Sequence, residues 1–141
     1  MSRWSPRDAE GEPEGLILFD GVCVFCSRWV RYVIDRDPRA RFSFMPIQSE
    51  RGRALAARFG IDPKAPQTNA VIWNGRAWFK SDAALTVLGA LPRTRRLAIL
   101  KSVPRPVRDA LYDLIARNRY RIFGRTQTCM VPSKSDRARF P

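Results

Sequence analysis

Two thiols separated by two residues, in Asp20-Gly21-Val22-Cys23-Val24-Phe25-Cys26, are the part of the chain whose residue types and spacing could do chemistry. With that spacing both sulfurs meet when the segment forms the first turn of a helix. Cys23 then stands at or just before the helix N-terminus, with Cys26 one turn inside. Unpaired N–H groups and the helix dipole there stabilise an anion and pull a thiol below its free pKa of about 8.5. The thiolate is the attacking species in disulfide exchange, so Cys23 is the expected nucleophile. Cys26, expected to be the more buried, is the expected resolving thiol. Arg28 and Arg31 add positive charge nearby. Phe25 could rim a substrate or simply pack on the core. Asp20, three residues before Cys23, has two readings. It is a turn-former whose carboxylate accepts loop N–H groups, or a partly buried carboxylate that accepts or relays a cysteine proton. Ionised at close range, it would also oppose the thiolate.

Composition narrows the setting for this pair. The 141 residues fit one domain able to bury a core without staples. No run approaches the roughly 20 apolar residues of a membrane-spanning helix. The polar first 15 residues do not read as a secretory signal, which makes the cytoplasm the expected address. There, isolated thiols stay reduced, and a close pair points to catalysis or metal binding rather than a structural crosslink. The third cysteine, Cys129, reads either as a small buried residue or as a relay partner for the pair. Three cysteines could hold zinc with Asp20 as a fourth ligand, but the chain has no histidine. A net charge of +13 raises the question of an anionic partner. The arginines are scattered and no nucleic-acid motif accompanies them, which disfavours nucleic acid. A peripheral membrane surface or an acidic partner remains open.

Several elements must position the thiols. Leu16-Ile17-Leu18-Phe19 is a continuous apolar run suited to a strand buried on both faces. Residues 27–35 read as a helix stopped by Asp37-Pro38. Residues 41–47 read as a second strand, with Phe42 and Phe44 on one face and Met45 on the other. Residues 49–59 read as a helix capped by Ser49 and ended by Gly60, despite Gly52 inside it. Asn74-Gly75 between two β-rich runs predicts a type I′ hairpin over 70–80. Ser81 or Asp82 is then expected to cap a helix through Ala90. Further helices are expected over 94–101 and 106–119. In the last, Val107, Ala110, Leu111, Leu114 and Ile115 form one apolar face. The order is strand–CxxC–helix, strand–helix, hairpin, helix. It predicts an α/β, thioredoxin-like fold, a mixed central sheet with helices on both faces and extra C-terminal helices. Residues 1–14 are expected to be a loose leader, 15–132 the domain and 133–141 a tail.

The pattern Asp20-x-x-Cys23-x-x-Cys26, preceded by Leu18-Phe19 and followed by Ser27-Arg28-Trp29-Val30, resembles the DCC family of thiol–disulfide oxidoreductases. Phe44-x-Pro46-x-Gln48-Ser49 and Ser81-Asp82-Ala83-Ala84-Leu85 also look like landmarks of that family. So do Tyr112-Asp113-x-Ile115-Ala116-x-Asn118-Arg119-Tyr120-Arg121 and Phe123-Gly124-Arg125 with Cys129 and Pro132. The resemblance covers about residues 15–132. It implies a thioredoxin-like fold with Cys23 and Cys26 as the active pair and no cofactor beyond their redox-active disulfide. It also implies a protein disulfide or small thiol compound as substrate, and an electron donor that the sequence does not identify. Thioredoxins place a cis-proline before the strand facing the CxxC. Here the stretch reads Pro66-Gln67-Thr68-Asn69-Ala70, and Thr68 or Asn69 is expected in that place. The sequence leaves two alternatives to an enzyme: a redox-sensing or interaction module with a basic surface, and a structural zinc site.

Overall fold

The computed structural model describes residues 6–64, 66, 68–124 and 138–140. Its elements run β1 (Arg7–Asp8), β2 (Leu16–Phe19), α1 (Val24–Arg36), β3 (Ser43–Pro46), α2 (Glu50–Phe59), β4 (Ala70–Trp73), β5 (Arg76–Phe79), α3 (Lys80–Ala90), a 3₁₀ helix (Arg95–Ser102) and α4 (Arg105–Phe123). The five strands form one mixed sheet in the order β1-β5-β4-β2-β3. β2 pairs parallel with β3 and antiparallel with β4. This is the expected α/β architecture of thioredoxin-like type. No helix among the described residues is long and apolar enough to cross a membrane.

The apolar run of β2 is buried throughout because it lies between two strands and between two helical layers. Side chains alternate across a strand, so Leu16 and Leu18 enter one core with Met45, Ile47, Leu55 and Phe59. Ile17 and Phe19 enter the other with Val30, Val33, Phe42, Phe44 and Val87. The expected division of Phe42 and Phe44 from Met45 is therefore the division between the two faces of the sheet. β2 ends where it delivers Asp20 and the CxxC to the edge of the second core.

α2 starts as expected: the Gly52 N–H donates to Ser49 Oγ at 3.0 Å, and Gly60 closes the helix at φ 76°. Gly52 is required by space, since a Cβ there would stand 2.0 Å from the Pro46 carbonyl oxygen. The hairpin turns on Asn74 (φ 55°) and Gly75 (φ 75°), both in the left-handed region a type I′ turn needs.

Elsewhere the structure corrects the sequence reading. α3 begins at Lys80, and neither Ser81 nor Asp82 caps it. Both turn instead to α4. The Ser81 hydroxyl bonds Asp109, and Asp82 pairs with Arg108 at 2.8 Å and Arg105 at 3.0 Å. Residues 95–102 are a 3₁₀ rather than an α-helix, and none of them is buried. Within the stretch expected to be a loose leader, Arg7 and Asp8 pair with β5 and Ala9 is buried in the first core. Within the expected tail, the Arg139 guanidinium bonds the buried Asp37 carboxylate, and Phe140 packs against Phe19 and Phe44. These short segments carry too little local pattern to be recognised without their partners.

The apolar face read for α4 is present but turns outward: Val107, Leu111, Leu114 and Ile115 are each about half exposed or more. The inward face consists of Arg108, Asp109, Tyr112, Asp113, Ala116, Arg119 and Tyr120. The helix docks through polar bonds to α3 and to the Cys motif, and two of them add to the contacts named above: Lys80 Nζ to Asp113 at 2.6 Å and Arg119 to Asp20 at 3.2 Å.

Candidate active site

Cys23 is the N-cap of α1, with extended backbone, and its Sγ accepts the Cys26 N–H at 3.3 Å. The helix thus begins at the CxxC, three residues earlier than its apolar pattern alone indicated. Both cysteines are free thiols. The Cys23 pKa is lowered to about 7, first by a hydrogen bond from the Cys26 thiol, against the opposing effect of burial. The Cys26 N–H and the positive charge of Arg119 lower it further, while Asp20 works the other way. Cys26 is pushed strongly upward by the same hydrogen bond, by burial and by the charge on Cys23. The pair thus divides into one thiolate and one thiol near neutrality.

Neither cysteine stands open to solvent: Cys23 is 0% exposed and Cys26 2%. The end of α4 lies over the start of α1, where the Val24 N–H donates to the Gly124 carbonyl at 3.4 Å. A largely apolar cavity of about 220 Å³ opens instead beside Cys26, between α1, α3 and α4. Phe25, Trp29, Val87 and Ile115 line it, with Asn69, Tyr112 and Arg119 as polar groups. Phe25 therefore rims this cavity rather than filling the core. Arg28 and Arg31 do not line it, and the positive charge that acts on the thiols comes from Arg119.

Asp20 is wholly buried. Its Oδ1 accepts the Val22 N–H at 3.2 Å and Gln48 Nε2 at 2.7 Å. Gln48 Oε1 in turn accepts the Gly21 N–H at 2.9 Å. On the other oxygen, Oδ2 accepts the Arg119 guanidinium at 3.2 Å and the Tyr120 hydroxyl. The loop-bonding role foreseen for Asp20 is present, and joined to it is a buried ion pair across 99 residues of sequence. Arg119 also donates to the Pro66 carbonyl at 2.7 Å. Tyr120 is held up at about 12 by burial and by its bond to Asp20.

The segment before β4 faces the pair. Cys26 Sγ lies 3.9 Å from Asn69 Oδ1, and the Asn69 N–H donates to the Tyr112 hydroxyl at 3.1 Å. Thr68 is turned away, its hydroxyl receiving the Lys80 N–H and donating to the Asn69 carbonyl. Of the two residues expected at the cis-proline place, Asn69 is the one that meets a thiol. Cys129 lies outside the described residues, so neither reading of it is placed. Among the described residues no three histidine, cysteine, aspartate or glutamate side chains gather as a metal site.

Residue types and spacing alone missed Gln48, Tyr112, Arg119 and Tyr120 as parts of the site. Gln48, Tyr112, Arg119 and Tyr120 did stand in the motifs carrying the family resemblance, which was the signal available for them.

The pattern of the DCC1-like thiol–disulfide oxidoreductases matches residues 17–125, which span the CxxC, Asp20, Asn69 and the α4 residues. The chain belongs to that family. An uncharacterised Bacillus subtilis protein, YuxK, is 41% identical over 133 residues, covering 94% of this chain and 97% of its own. A DCC family protein of Arabidopsis thaliana, described as chloroplastic, is 36% identical over 122 residues, covering 85% of this chain and 71% of its own. No solved structure matches the chain. As a DCC1-like protein, this chain holds its cysteine pair in contact at a helix start, the arrangement dithiol redox chemistry needs.

Proposed function

We propose that this chain exchanges disulfides through Cys23 and Cys26, with Cys23 as nucleophile and Cys26 as resolving thiol. The observation that carries the reading is the split of the two thiols, with Cys23 lowered to about 7 at the helix N-terminus and Cys26 raised beside it. The Cys23 thiolate attacks one sulfur of a substrate disulfide, forming a mixed disulfide and releasing the other sulfur as a thiolate. Cys26 then loses its proton and attacks Cys23, forming the internal disulfide and releasing the second substrate thiol. Two electrons pass to the substrate, and an external dithiol donor restores the pair. No cofactor beyond the cysteine pair takes part, and a reducing, cytoplasmic setting suits this direction.

Asp20 serves as a positioning group. Its carboxylate fixes Arg119, whose positive charge favours the Cys23 thiolate more than the Asp20 charge opposes it. Substrates are protein disulfides or the disulfides of small thiol compounds. Because Cys23 has no exposed surface, reaction requires local opening where Gly124 meets Val24. That same burial is what favours a second reading, a redox-sensing module without turnover.

Reduction of insulin disulfides with dithiothreitol as donor separates the two. The enzyme reading expects turnover that Cys23→Ser abolishes, with Cys26→Ser trapping a mixed disulfide. Turnover surviving both substitutions refutes it. A dithiol that oxidises reversibly but never turns over supports the module.

A further inference from the structure

Every large apolar side chain that stands exposed among the described residues belongs to Phe25, the 3₁₀ helix or α4. On α4 these are Val107, Leu111, Leu114, Ile115 and Ile122, at the i, i+4, i+7, i+8 and i+15 spacing of one helical face. The stripe runs about 22 Å at 1.5 Å per residue. It points outward because the opposite face is spent on the bonds of Asp109, Asp113 and Arg119 to Ser81, Lys80 and Asp20. Soluble proteins rarely leave such a face uncovered without a use for it.

Charge decides between occupants. At helical spacing Arg117 and Arg121 border one edge of the stripe, and both are exposed. The 3₁₀ helix leading into α4 adds exposed Leu97, Ile99 and Leu100 beside exposed Arg95, Arg96 and Lys101. Both carboxylates of α4, Asp109 and Asp113, are bonded on its inward side. A second copy would bring this basic border, on a chain of net charge +13, against itself. An aliphatic face edged by arginine fits an anionic lipid surface, where the side chains enter the acyl boundary and the guanidinium groups meet phosphate.

We propose that the 3₁₀ helix and α4 dock this protein peripherally on anionic membranes, with the stripe in the interface. Ile115 and Phe25 belong both to the exposed apolar set and to the lining of the Cys26 cavity. Docking therefore turns the mouth of that cavity toward the lipid surface. The proposal does not depend on the redox reading, and its test measures no turnover.

The test is co-sedimentation of the reduced full chain with vesicles of phosphatidylcholine and phosphatidylglycerol, seven to three, beside vesicles of phosphatidylcholine alone. Binding to the mixed vesicles that weakens with salt is expected, with at least tenfold less on phosphatidylcholine. Leu111→Glu with Leu114→Glu should reduce binding more than tenfold, and Arg117→Glu with Arg121→Glu comparably. All four positions are exposed, and an unchanged melting temperature confirms that the variants fold. Absence of binding to the anionic vesicles at low salt overturns the proposal, as does binding that ignores the leucine substitutions. A dimer in sedimentation equilibrium that the leucine substitutions dissociate, without vesicle binding, assigns the face to a second copy and likewise overturns it.

Discussion

Replacing Cys26 with alanine removes the thiol donor that contributes most to lowering Cys23. The Cys23 pKa, about 7, lies two units below the reference thiol value of 9.0, equivalent to about 2.7 kcal/mol in favour of the thiolate. A hydrogen bond to a charged group contributes about 1.5–3 kcal/mol, which corresponds to about 1–2 pH units. Cys26→Ala should therefore raise Cys23 to about 8–9. The Cys26 N–H and Arg119 still favour the anion, and burial still opposes it. At pH 7 the thiolate fraction would fall from about one half to about one tenth or less. The assay is the ultraviolet absorbance of the thiolate against pH in a Cys129→Ser background, so that Cys23 is the only thiol titrating in the alanine variant. Cys26→Ser, which keeps a hydroxyl donor, should give a smaller rise. A folded Cys26→Ala variant titrating within about 0.3 unit of the parent would refute the argument, because the hydrogen bond would then contribute less than about 0.5 kcal/mol.

The reduced protein should show a stability maximum near the ordinary thiol pKa of about 8.5, measured by urea unfolding across pH. Cys23 is lowered in the fold, so its contribution is complete above its unfolded value and is lost as pH falls through about 7. Cys26 is raised, so its contribution is complete below its unfolded value and is lost as pH rises above it. Oxidation to the disulfide should flatten both limbs, and an unchanged profile after oxidation would contradict the assignment. Arg119→Ala should destabilise the fold by about 3–5 kcal/mol, because it leaves the buried Asp20 carboxylate without its charge partner. It should also raise the Cys23 pKa; chemical denaturation and thiol titration check the two effects separately.

The sequence by itself determined the CxxC motif and most of the frame around it. Leu16–Phe19, the Ser49 cap, the Asn74-Gly75 turn and the two faces of the second strand were legible because each is a local pattern with a period or a turn chemistry of its own. Cys23 as the first anion site followed from spacing alone, since a helix N-terminus is a local electrostatic feature. Tertiary structure decided which groups surround that anion. Arg119 and Tyr120 reach Asp20 from about a hundred residues away, and Asn69 reaches Cys26 across 43. No periodicity encodes such pairings. Short segments such as Arg7–Asp8 and residues 138–140 likewise acquire their structure from the strands and rings they meet. α4 shows the limit most clearly: its apolar spacing correctly foretold a helix and a distinct face. Which face turned inward was set by ion pairs and hydrogen bonds to α3 and Asp20. For that reason the apolar stripe, to which the sequence assigned no direction, lies outside.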